Sequence, residues 1–421
     1  MSLNSPTVHK LTNGLTIIAE SIPVEAVNLS IWLNVGSRIE SDSINGMAHF
    51  LEHMIFKGTP RLGLGEFEKR VETRGAITNA ATSQDYTNYY ITTAPQYFAE
   101  LCPLQVDLVL NPSIDSKDFD QERPVILEEI ARSADNVQRR IYQQSIEMAC
   151  ETLPYRRPVL GNSQVIEGLT NQQMRYFHAS NYRPAAMTAV AVGNLPVRDL
   201  IDIVTESFNT YSSHEGSTQF ASTNSSPPQE EPFIKVVRQD VVDPELQQTR
   251  LIMMWRVPGM TELAATYPLD IVAAVLAQGR TSRLVRDLRE ERQLVTGIGV
   301  SNSTYAWQGI FGVTAQLPTA NLAEVEKRIL EHIEILQQQK ISPEEIDRVR
   351  RQVANRHIFG NETPSARASM YGYYQAMCGD LGAGIDYPQK IQSIDADMLQ
   401  AAARQYLPTN AYGVMTVRSP D

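Results

Sequence analysis

The stretch Gly46-Met-Ala-His49-Phe50-Leu51-Glu52-His53-Met54 sets two histidines four residues apart, with a carboxylate three after the first. On an α-helix, positions i and i+4 lie about 40° apart around the axis, so both imidazoles leave one face and can share one metal ion. Glu52 then stands beside that ion. The spacing is that of the inverted zinc motif His-x-x-Glu-His, in which the histidines are ligands and the glutamate is the base. A hydrolytic zinc takes three protein ligands and keeps one position open for water, so a third ligand must come from elsewhere in the chain. The remaining histidines, His9, His178, His214, His332 and His357, stand singly and read as structural or solvated. Acids are available on Ser116 to Ala134, a helical stretch that carries Glu122, Glu128 and Glu129. Helical geometry puts Glu122 and Glu129 on nearly one face and turns Glu128 about 100° away, and spacing alone does not choose among the three. Pro124 falls inside this helix and should kink it.

The elements that must position these groups form a repeated plan. Ser, Thr, Gly and Gln crowd together with Pro227-Pro228 between Tyr211 and Pro232, which reads as an interdomain linker. Residues 1–211, 212–232 and 233–421 are thus a first domain, a linker and a second domain. Met174, Tyr182 and Pro184 recur at one constant offset as Met398, Tyr406 and Pro408, and each triplet is followed by an apolar run, Thr188 to Val192 and Gly413 to Val417. Each half also begins with short strands, at Leu15 to Glu20 and Val27 to Val35, and at Phe233 to Val237 and Thr249 to Arg256. Further helices are expected at Leu322 to Gln339, with an apolar stripe Val325, Ile329, Ile333 and Leu336, and at Ser342 to Asn355, opened by Ser342, Pro343 and Glu345. Strands and helices mix without a βαβ rhythm. The expected fold is α+β: two homologous domains, each an antiparallel-dominated sheet layered with helices.

Composition narrows the function classes. The chain has 421 residues, 42% hydrophobic and 20% charged, as in ordinary globular proteins and unlike disordered or collagenous chains. A net charge of -11 argues against a nucleic-acid binder that lives on phosphate neutralisation and against a general binder of anionic membranes. Three widely spaced cysteines, Cys102, Cys150 and Cys378, suit neither a thiolate zinc cluster nor a disulfide framework and fit a reducing compartment. No uninterrupted apolar run approaches a membrane span, and Met1 to Pro6 has neither a basic nor an apolar leader region, so the expected location is the cytoplasm.

Gly46 to Lys57, Gly75 to Ser83, Thr87 to Tyr90 and Glu122 to Glu129 together closely resemble the pitrilysin-like inverzincin peptidases, and within them the short two-domain branch that includes the β-subunit of mitochondrial processing peptidase. The resemblance runs through nearly the whole chain and implies two homologous domains making half of a clamshell. It implies one Zn2+ per chain on His49, His53 and Glu129, with Glu52 as general base and Glu122 behind a ligand. It implies that unfolded peptide is held as an added strand beside Ala76 to Thr82, near Asn79 and Ala80. In the family the second domain supplies an arginine and a tyrosine seven residues apart. Arg289 matches the first, and Thr296 stands where the tyrosine is expected. That difference implies a zinc-bearing subunit of a heterodimer whose partner carries the Arg/Tyr pair, or else a self-sufficient homodimer. A non-catalytic assembly subunit is the remaining reading, and nothing points to nucleic acid.

Overall fold

A computed structural model describes residues 5–211 and 229–420, so 212–228 of the expected linker lie outside the described residues. The chain forms two compact units, Met1–Arg132 with Arg157–Ser226 and Phe359–Ile385, and Ser133–Arg156 with Pro227–Ile358 and Asp386–Asp421.

The first unit is built on β1 (Thr7–Lys10), β2 (Thr16–Ser21), β3 (Val27–Leu33), β4 (Ile77–Thr82), β5 (Thr87–Thr93) and β6 (Met187–Gly193). Their order is β1-β2-β6-β3-β5-β4, antiparallel throughout except β2 with β6. Alternation along β3 sends Val27, Leu29, Ile31 and Leu33 into the main core and Trp32 to the opposite face. Helices Met47–Ile55, Phe98–Leu110 and Val197–Tyr211 cover the main-core face. The opposite face is covered from far along the chain by the helix Pro364–Cys378. There Tyr371 donates its hydroxyl to Glu20 at 2.8 Å, Arg367 pairs with Glu20 at 3.0 Å, and Gly372 lets the helix backbone rest on the Trp32 indole, where a Cβ would collide.

The second unit repeats the plan with β7 (Val237–Val242), β8 (Thr249–Pro258), β9 (Gly297–Thr304), β10 (Gln308–Leu317) and β11 (Gly413–Arg418). The order β7-β11-β8-β10-β9, parallel only between β7 and β11, is that of β2-β6-β3-β5-β4. One face carries helix Leu263–Ala277 and the helix Leu322–Gln338, whose Val325, Ile329, Ile333 and Leu336 are all buried there. The other carries Val137–Ala149, a helix from the first half of the sequence.

The α+β assignment and the internal repeat therefore stand, while the compact units are not two sequential blocks. Both faces of each sheet are apolar, and each half supplies the helix that covers the second face of the other half's sheet. Two local expectations also change. The strand expected at Phe233 to Val237 begins only at Val237, because the Phe233 ring is taken into the core beneath the Arg256 guanidinium, 4.1 Å from its centroid. The stretch Met260–Ala277 is apolar and long enough to cross a bilayer, yet it is largely buried in the second core.

Candidate metal centre

The histidines sit on the helix Met47–Ile55, which starts where Gly46 adopts φ 95°. The start is held by an acid that sequence patterning missed. Glu40, 4% exposed, accepts from the backbone N–H of Gly46 at 2.8 Å and of Ala48 at 2.7 Å, and from Asn45 Nδ2 at 2.9 Å. An anion at a helix N-terminus satisfies orphan donors and complements the helix dipole. Nothing in the spacing of Glu40 from the helix follows a capping box, so only the fold reveals it.

The helix Ser116–Asp135 runs on through Pro124. It is pinned by Arg123, whose guanidinium donates to the carbonyls of Ile166, Glu167 and Leu169, and by Phe119, which stacks on Phe50 of the histidine helix at 4.5 Å. This contact selects among the three acids. Glu129 Oε2 lies 3.5 Å from His49 Nε2 and 3.5 Å from His53 Nε2, and Glu122 Oε1 lies 2.9 Å from His53 Nδ1. Glu128 instead pairs with Arg132 at 2.5 Å on the exposed side. Among the described residues, His49, His53 and Glu129 form the one group of three able to hold a metal ion, their donor atoms all within 4.8 Å of one another.

The donor set fits zinc. Two donors at ~2.1 Å from a tetrahedral ion lie about 3.4 Å apart, close to the observed separations, and two imidazoles with one carboxylate are a zinc-type ligand set. Burial, with the charge of His53, holds the His49 imidazole down to about 4, so it is neutral and its lone pair is free near pH 7. Glu122 bridges His53 to Lys57, whose ammonium is 2.5 Å away. Burial pushes the Glu122 carboxyl up, but the hydrogen bonds and charges of Lys57 and His53 outweigh it and hold the group below its ordinary value. An ionised Glu122 accepting at Nδ1 fixes the His53 tautomer that leaves Nε2 for a metal.

Glu52 is held differently. Its Oε2 accepts from the Thr82 hydroxyl at 2.5 Å, and burial pushes its carboxyl above the ordinary value against the opposing pull of that bond and of His53. Thr82 closes β4, so the carboxylate is tied to the strand flanking the site. β4 is an edge strand, with Asn79 exposed and its Oδ1 accepting the N–H of Ala80 at 2.9 Å. Arg289 and Thr296 lie in the second unit and are occupied locally: Arg289 donates to Glu290 at 2.6 and 2.9 Å, and Thr296 to Gln248 at 2.8 Å and the Gln316 carbonyl at 3.2 Å.

Residues 16–163 match the family model described as Insulinase (Peptidase family M16), and residues 168–353 match the one described as Peptidase M16 inactive domain. The chain belongs to peptidase family M16. Among M16 relatives, a Rickettsia bellii protein named "Uncharacterized zinc protease" is 28% identical, over 94% of this chain and 94% of its own length. An Arabidopsis thaliana protein named "Probable mitochondrial-processing peptidase subunit beta, mitochondrial" is 24% identical over 97% of this chain and 77% of its own. The M16 fold is shared with the crystal structure of a protease from Helicobacter pylori, at a TM-score of 0.90 and 22% identity, covering 99% of each chain.

Proposed function

We propose that this M16 chain is a zinc metallopeptidase that hydrolyses peptide bonds of unfolded peptides, with His49, His53 and Glu129 holding one zinc ion and Glu52 acting as general base. The convergence of two imidazoles and a carboxylate beside a half-buried, oriented glutamate carries the reading. Zinc, when bound, supplies a Lewis acid that polarises a carbonyl and acidifies water. The chain does the rest. Glu52, raised by burial and aimed by Thr82, takes the proton from water and delivers it to the leaving amine. The open edge of β4 accepts an extended peptide through main-chain hydrogen bonds, with Asn79 and Ala80 beside its backbone, which predicts broad sequence tolerance. An inert scaffold has no use for so complete a donor set.

Thr296 offers no phenol to the developing oxyanion, and an oxyanion donor is worth ~100 to 1000-fold in rate. This supports pairing with a homologous subunit that carries the Arg/Tyr pair, with a self-sufficient homodimer as the second reading. All three cysteines are free thiols, which supports a cytoplasmic location. The deciding experiment is cleavage of a quenched, unstructured peptide by the zinc-loaded chain, with Glu52→Gln as the blank and zinc measured in both. Turnover above the blank means the chain is complete by itself, and silence with one bound zinc assigns the missing groups to a partner. Equal turnover by wild type and Glu52→Gln, or no zinc bound by either, would refute the reading.

A further inference from the structure

The two sheets differ at one edge. In the first, a further four-residue strand, β1, pairs along β2 and becomes the edge in its place. In the second, the corresponding strand β7 pairs only with β11, and among the described residues no strand covers its other side. The N–H groups of Val237 and Asp243 bond to the carbonyls of Tyr412, just before β11, and of Arg418 at its end, so the odd-numbered residues face inward. Alternation turns the backbone groups of Arg238, Asp240 and Val242 to the free edge. The edge is exposed and partly apolar: Ile234 is 92% exposed, Val242 55% and Val236 38%.

The residues along it read as their own complement. On one face stand Val236, Arg238, Asp240 and Val242 in that order. In an antiparallel pairing with a second copy of β7, centred on Gln239, Arg238 faces Asp240 of the second copy and Val236 faces Val242. The backbone agrees, because outward-facing residues meet outward-facing residues only when the two-fold axis passes through a residue, not between two. Centring on residue 238 or 240 sets like charges opposite each other. Arg238 is placed for this by Glu326, which grips it at 2.7 and 3.0 Å while leaving the side chain 43% exposed.

We propose that the free edge of β7 is a self-association surface, on which a second copy of this chain pairs antiparallel about Gln239 and joins the two five-stranded sheets. Charged residues on an edge strand also serve to repel pairing. The two roles separate by experiment. Across the axis the two Gln239 positions form a non-hydrogen-bonded pair with Cα atoms ~4.5 Å apart, within reach of a disulfide. In full-length protein carrying Cys378→Ser, which removes the one incompletely buried thiol, Gln239→Cys should form a reducible covalent dimer under mild oxidation. Adding Asp240→Lys, which sets Lys against Arg238, should abolish that crosslink. Asp240→Lys alone should weaken the dimer, by light scattering, at least ~tenfold while leaving the protein folded, since Asp240 is exposed. A monomeric wild type, a dimer insensitive to Asp240→Lys, or a Gln239→Cys protein that stays uncrosslinked overturns the proposal. None of these readouts involves zinc or peptide turnover, so the proposal stands or falls apart from the peptidase reading.

Discussion

Glu52 and Glu122 both lie within one helix turn's reach of His53, and their surroundings assign them different work. Glu52 takes its hydrogen bonds from one neutral residue, the hydroxyl and backbone N–H of Thr82, and burial raises it, which suits a group that must gain and lose a proton. Glu122 has both oxygens engaged by cationic or N–H donors, His53 at 2.9 Å and Lys57 at 2.5 Å, which suits a fixed acceptor. On the proposed zinc reading, Lys57 is a positioning residue for the candidate metal centre. Lys57→Met should leave Glu122 buried without its cation, free the His53 ring, and lower zinc affinity ~10 to 100-fold in a chelator competition. Lys57→Arg should retain most of it. Zinc affinity in Lys57→Met within twofold of wild type would show that the ammonium only solvates a surface acid.

At the scale of elements, the repeat extends from strand order to chemistry. In the first copy an acid on the helix after β3 accepts from the strand that follows, Glu52 from Thr82. In the second, Asp270 on the helix after β8 accepts from Asn302 of β9 at 2.8 Å and from Tyr387 at 2.8 Å. Burial pushes the Asp270 carboxyl up from 3.8 to about 6. Between those values the folded chain keeps a proton that the unfolded chain has released, so stability falls as pH rises through about 4 to 6 and then levels off. Asp270→Asn removes this titration and keeps an acceptor for Asn302. Its melting temperature should gain on wild type across that window, the difference in unfolding free energy approaching ~3 kcal/mol at most, and parallel curves for the two proteins would rule the group out. What the sequence made legible follows the same scale. The histidine pair, the helix start at Ser342 and the apolar stripe from Val325 to Leu336 are local patterns, and each is found where its period places it. Choosing Glu129 over Glu128 needs the stacking of Phe50 on Phe119, and the roles of Glu40 and Thr82 arise from loops and strands folding back on the helix. Such contacts carry no period.

For the whole molecule, the exchanged helices decide what can fold alone. Without Pro364–Cys378, the first sheet exposes Ile18, Trp32, Val190 and Val192, and Glu20, only 4% exposed in the intact chain, loses Arg367 and Tyr371. Stripping one partner from a buried ion pair costs ~3 to 5 kcal/mol, comparable to the net stability of many domains. Without Val137–Ala149, the second sheet exposes Ile252, Met254, Ile310, Met415 and Val417. A chain cut between Ser226 and Pro227 should therefore give two halves that, made separately, bind a hydrophobic dye and unfold without a cooperative transition. Made together, they should associate, restore one cooperative transition in calorimetry and bind zinc as the intact chain does. Cooperative unfolding of the isolated first half, with zinc bound, would show that the helix Pro364–Cys378 is dispensable. The expected result ties the metal centre, whose candidate ligands all precede residue 130, to a segment more than two hundred residues further along the chain. The repeat thus makes one interdependent fold in which, among the described residues, the group able to hold a metal ion lies in the first copy.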